Sequence, residues 1–145
     1  MKIEAHVLGD PKGQPRPKAY RRGSRAAVYD PGTANGWKMA VAGALRDLLP
    51  DEPYAGPVAV SAKFSLPRPK RLLRKKDPEG ELLHTAKPDS DNLLKAVMDV
   101  CSDIQLWRDD TQVVDVFVQK RYAAKNGRPG MHLIIESIGG RNSRT

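Results

Sequence analysis

Cysteine is all but missing: Cys101 stands alone among 145 residues, which excludes a disulfide framework and a thiolate zinc site. It falls on the apolar side of a helix described below, with no histidine near it in sequence, so it reads as a small buried thiol rather than a nucleophile. Histidine is scarce too. His6, His84 and His132 are scattered, and no HxxxH or HxH spacing marks a ligand pair. Long apolar runs are absent: none approaches the roughly 18 residues that a bilayer demands, and "MKIEAHVLGDP" has no apolar core of a signal peptide. The expectation is a cytoplasmic protein without a membrane partner. With 39% hydrophobic and 29% charged residues the chain has the composition of one soluble domain, long enough to bury a core unaided.

Acidic residues are also in deficit, 17 against 25 Lys and Arg, leaving a formal charge of +8 that attracts polyanions. The excess is concentrated. Lys12, Arg16, Lys18, Arg21, Arg22 and Arg25 follow one another without an acid, and Arg68, Lys70, Arg71, Arg74, Lys75 and Lys76 form a second cluster. A basic run reads equally as solvated surface or as a phosphate-binding strip. Two of them flanking carboxylates favour the second reading.

Hydrophobic periodicity divides the chain into a few elements. Residues 2–8 and 58–66 alternate as strands, the second with Val58, Val60, Ala62, Phe64 and Leu66 on one face. Between them, residues 9–36 are rich in Gly and Pro and read as a long functional loop, and Trp37 to Leu49 read as a helix stopped by Pro50, with Trp37 and Met39 as packing residues. A second polar, breaker-rich segment, 67–88, predicts a mobile loop with one short helical turn. An amphipathic helix over 91–104 follows, then strands over 111–124 and 130–138 joined at Asn126-Gly127. The order β-α-β-α-β-β predicts an α+β (α/β) fold, a small mixed sheet with two main helices. One domain spans residues 1–138, with 139–145 as a frayed tail.

The chemistry concentrates in "KPDSDNLLKAVMDV", residues 87–100. One carboxylate there would cap a helix, but Asp89 and Asp91 make two. Magnesium or manganese prefers hard oxygen ligands and shares phosphate oxygens with its substrate, so an acidic pair at a helix N-terminus beside basic loops points to metal-assisted phosphodiester hydrolysis. A further pair, Asp109-Asp110, precedes the next strand; alternation there would let only one of the two face the site. Lys95, one turn after Asp91, reads from spacing as its i,i+4 ion-pair partner, or functionally as a cation stabilising transition-state charge. Asp99 reads as a surface partner of Lys95, and Asp115 as an outward strand residue.

"KPDSDNLLKAVMDV" followed by "LWRDDTQVVDV", with "GQPRPKAYRRG" near the N-terminus, resembles the RusA family of Holliday junction resolvases, small nucleases of bacterial and prophage genomes that serve DNA recombination and repair. The resemblance implies an intertwined homodimer that binds four-way junction DNA and makes paired, symmetric, magnesium-dependent nicks. It matches Asp89, Asp91 and Asp110 to the family's catalytic, metal-binding carboxylates and Lys95 to its catalytic lysine, which overrides the ion-pair reading. The Lys- and Arg-rich insertion 67–86 departs from the family pattern, leaving the metal-site residues intact but bearing on cut-site preference and junction specificity. The alternatives are a nuclease acting on flaps or other branched DNA and a basic DNA-binding module without activity.

Overall fold

Strict alternation in "VAVSAKFSL" buries every second side chain from Val58 to Leu66, the period that a pleated strand imposes. That strand is the centre of the sheet. The computed structural model describes residues 1–15, 18–23, 25–29 and 32–139. Its elements are β1 (Lys2–Leu8), β2 (Lys18–Arg22), β3 (Arg25–Tyr29), α1 (Asn35–Arg46), β4 (Val58–Leu66), β5 (Leu82–Leu83), α2 (Ser90–Asp103), β6 (Val113–Tyr122) and β7 (Gly130–Ser137). Single 3-10 turns occupy Lys70–Leu72 and Asp110–Gln112.

The five-stranded sheet runs β1-β7-β4-β6-β5. Its one parallel pair, β4 with β6, needs a crossover, and α2 lies on that connection. The other neighbours are antiparallel, so the sheet is mixed. Trp37, Val41 and Leu45 of α1 and Leu93, Val97, Val100 and Cys101 of α2 join Ile3, Val60, Phe64, Leu133 and Ile135 in one core. Both helices therefore cover the same sheet face. The opposite face carries Glu4 and His6 of β1, exposed, and Lys63 of β4 and His132 of β7, half-buried.

The architecture is the expected mixed α+β sheet with two helices, with three corrections in detail. Residues 9–36 are not loop throughout: β2 and β3 pair as a hairpin in which Arg22 opposes Arg25, with Gly23 at φ 64 allowing the reversal. Two five-residue strands, KAYRR and RAAVY, among prolines and glycines show no alternation to read. Segment 67–88 has the expected short helical turn, at Lys70–Leu72, but is also folded around Arg68, whose guanidinium donates to the carbonyls of Ala123 (2.9 Å), Leu72 (3.0 Å), Pro78 (2.8 Å) and Gly80. Met39 is 74% exposed, since the inward stripe of α1 is Trp37, Val41 and Leu45 and a residue two positions past Trp37 points away from it. Residues 140–145 of the expected tail lie outside the described residues, among which no helix is long and apolar enough to cross a membrane.

Candidate functional site

Asp89 is the residue that caps α2 by position, with extended backbone (φ −72, ψ 152), but its side chain makes no capping hydrogen bond. Asp91 stands in the first turn, where its Oδ1 accepts only from the neighbouring Asn92 N–H at 3.0 Å. Among the described residues no hydrogen bond or ion pair engages the Asp89 carboxylate. Both groups are exposed at the electropositive end of a 14-residue helix, where negative charge is favoured. Two adjacent carboxylates open to solvent fit a hard divalent cation such as magnesium or manganese, which takes one or two protein oxygens and completes its shell with water and phosphate.

Two contacts hold this corner in place. Lys120 of β6 reaches under it, donating through Nζ to the carbonyls of Ala86 (2.8 Å) and Pro88 (2.9 Å), and so fixes the chain just before Asp89. From the other side the Gln14 N–H donates to the Asn92 carbonyl at 2.9 Å. Gly13 permits that approach: a Cβ there would stand 3.1 Å from Asn92 Cβ and 3.2 Å from Pro88 Cβ. Neither Lys120 nor Gly13 was legible beforehand. A strand lysine looks like any surface lysine until its register is known.

Lys95 does not bridge to Asp91. Its side chain is 62% exposed and its ammonium lies 3.5 Å from Asp99, which also sits 3.8 Å from Lys38 of α1. The helix-surface pairing expected for Asp99 is present, and Lys95 stands on the Asp91 stripe with its charge in solvent.

Asp110 is placed elsewhere. The acidic pair lies in a 3-10 turn rather than at a strand entry, so strand alternation does not govern it. Asp109 caps that turn, accepting from Thr111 N–H, while the Gln112 side chain accepts from the Arg108 and Asp109 N–H groups at 2.8 Å. Asp110 Oδ1 accepts from Ser102 Oγ and, at 3.1 Å, from Nε1 of the buried Trp107. Ser102 is in the last turn of α2, eleven residues beyond Asp91, which is about 16 Å along a helix axis. One chain therefore places Asp89 and Asp91 at the start of α2 and holds Asp110 at the opposite end of the helix. Next to it, burial and then the Asp110 charge push the Cys101 thiol up to about 12, so it is an inert core thiol.

A groove of about 990 Å³ opens beside Asp89, between residues 10–15, 66–71 and 84–89, with Lys12, Arg71 and Lys87 on its walls. Gln14 Oε1 and His84 Nδ1 are buried there without a partner, and burial followed by the Lys120 charge lowers the His84 pKa, keeping the ring neutral. Of the basic residues singled out from sequence, Lys12, Arg21, Lys70, Arg71, Arg74, Lys75 and Lys76 are exposed. Lys12 and Arg74 have local acidic partners, Asp10 at 3.4 Å and Asp77 at 3.7 Å. Lys18 and Arg22 lie on β2, and Arg16 lies outside the described residues. Arg68 is the exception, being occupied by backbone carbonyls instead of facing a phosphate.

Comparison with known proteins bears on the family. The family model described as endodeoxyribonuclease RusA matches residues 9–135. The uncharacterized protein YqaN of Bacillus subtilis (strain 168) is 31% identical over 141 residues, covering 94% of this chain and 96% of its own length.

Proposed function

The chain belongs to the RusA endodeoxyribonuclease family, and from that premise we propose that it is a magnesium-dependent resolvase of four-way DNA junctions, acting as a homodimer whose active sites each draw on both subunits. The observation that carries this reading is the separation of Asp110 from Asp89 and Asp91. If all three carboxylates serve one centre, the third must come from a second copy.

The open edge of β6 supports a partner. β5 pairs only with Arg121 and Tyr122, so among the described residues β6 presents an unpaired edge from Val113 to Lys120. Val114, Val116 and Phe117 on that stretch are 58%, 55% and 61% exposed. An unpaired edge flanked by apolar side chains is a surface that a second copy covers. It begins three residues after Asp110, so a two-fold contact along it carries each Asp110 toward the other subunit.

In this reading Asp89, Asp91 and the partner's Asp110 hold the cation. Magnesium, with manganese as substitute, supplies charge neutralisation and an activated water when bound. Lys95, free of Asp91 and open to solvent, offers its ammonium to the developing charge on the phosphate. Lys12, Arg71 and Lys87 line the groove along which the phosphate backbone approaches, with Lys70, Lys75 and Lys76 extending the basic surface. A two-fold dimer presents one centre to each of two like strands of a junction, the geometry of paired symmetric nicks in recombination and repair. Residues 1–138 make up the one nuclease domain, working in the cytoplasm.

The test is nicking of a synthetic four-way junction in magnesium, with a flap, a linear duplex and the Asp91→Asn protein as comparisons. Junction-selective nicking that vanishes in Asp91→Asn while gel-shift binding persists supports the reading. Equal rates on all three substrates would make it a branched-DNA or general nuclease, and no nicking in magnesium or manganese would make it a binding module.

A further inference from the structure

The sequence scatters His6 and His132, but β1 and β7 set them directly opposite each other. Their rings stack with centroids 4.2 Å apart and planes 6° from parallel. Glu4, two residues before His6 and hence on the same side of β1, places Oε2 at 2.6 Å from Nε2 of His132. One donor atom from each of the three residues lies within 4.8 Å of the other two. Strand register produces this juxtaposition, which no local spacing reveals.

We propose that Glu4, His6 and His132 form a binding site for a late first-row divalent metal ion, zinc the plainest example, on the sheet face opposite α1 and α2. Two imidazoles and one carboxylate are the ligand set that zinc and its neighbours accept with open positions left for water. Hard magnesium has little preference for it. Donors must close to within roughly 3 to 4 Å of one another around an ion bound at about 2.1 Å. For that the stacked rings would turn so that their in-plane lone pairs converge, and the 2.6 Å contact between Glu4 and His132 would open, movements that exposed and half-buried side chains permit.

The surroundings leave the donors available. Lys63 opposes His132 from β4, yet its ammonium is held at 2.9 Å by Glu81 and so turned from the cluster. An ion there ties β1, the edge strand, to β7. A surface ion pair alone would need neither the second imidazole nor its register. The site is independent of the acidic pair on α2 and of the nuclease reading.

Zinc alone is the probe, titrated into the full chain carrying Asp91→Asn, in excess magnesium, against a chromophoric chelator. The expected result is one zinc per chain, with affinity falling at least about tenfold in both His6→Ala and His132→Ala, while melting in chelator is unchanged from the parent. In the wild-type chain, which needs no substitution, zinc should shift the ring resonances of His6 and His132 and leave those of His84 in place. Zinc affinity unchanged in both histidine variants, or ring resonances of His6 and His132 that do not respond to zinc, would overturn the proposal.

Discussion

Asp110 accepts a hydrogen bond from Ser102, and Ser102 stands at the far end of the helix that begins with Asp89 and Asp91. The bond, with a second from Trp107, directs the carboxylate toward the C-terminal end of α2. It explains why three aspartates that belong to one pattern in the sequence do not meet in one chain. It also makes the dimer a requirement of the chemistry proposed here rather than an addition to it.

Lys95→Ala separates the two roles open to that residue. Its exposed pairing with Asp99 stabilises by less than about 0.5 kcal/mol, so the melting midpoint should hardly move. Loss of an ammonium that meets transition-state charge should slow nicking on the order of 100-fold. Measured together under single-turnover conditions, a stable protein with normal nicking would return Lys95 to the ion-pair role.

Lys120 positions the acidic pair without touching it. Lys120→Met removes both bonds to the Ala86 and Pro88 carbonyls, and should cost about 1 to 3 kcal/mol of stability. The shift of Asp89 should lower the nicking rate on the order of 10- to 100-fold, with junction affinity nearly unchanged. Lys120→Arg, retaining the donors, should recover part of the rate.

Phe117 tests the open edge. Phe117→Lys places a charge on the apolar surface of β6 and should weaken self-association by roughly 30-fold or more, the equivalent of about 2 kcal/mol at an interface centre. Sedimentation should register monomer with unchanged circular dichroism, and nicking should fall with the dimer. A monomer that nicks at the wild-type rate would remove the shared site.

Much of the fold was legible because its driving periodicities are local. β1 and β4 match their expected bounds, and α2 matches within a residue, since apolar residues recur at two for the strands and at three and four for the helix. The β2–β3 hairpin was not, because ten residues divided between two short strands carry no alternation to read. Arg68 looked like its neighbours in a basic cluster. Only the fold of 67–88 reveals that its donors are taken by carbonyls. Asp89, Asp91 and Lys95 were visible as a pattern on one helix, whereas the place of Asp110 depends on a 3-10 turn and on Ser102. His6 and His132 required strand pairing across most of the chain.

The most direct measurement mixes two inactive proteins, Asp91→Asn and Asp110→Asn, after subunit exchange. If each centre combines Asp91 of one chain with Asp110 of the other, a mixed dimer holds one centre with both substitutions and one with neither. The mixture should then nick one strand of a four-way junction in magnesium, although each parent alone does not. If Asp110 serves its own chain's centre, both centres of the mixed dimer are damaged, and a mixture no more active than its parents would contradict the shared site.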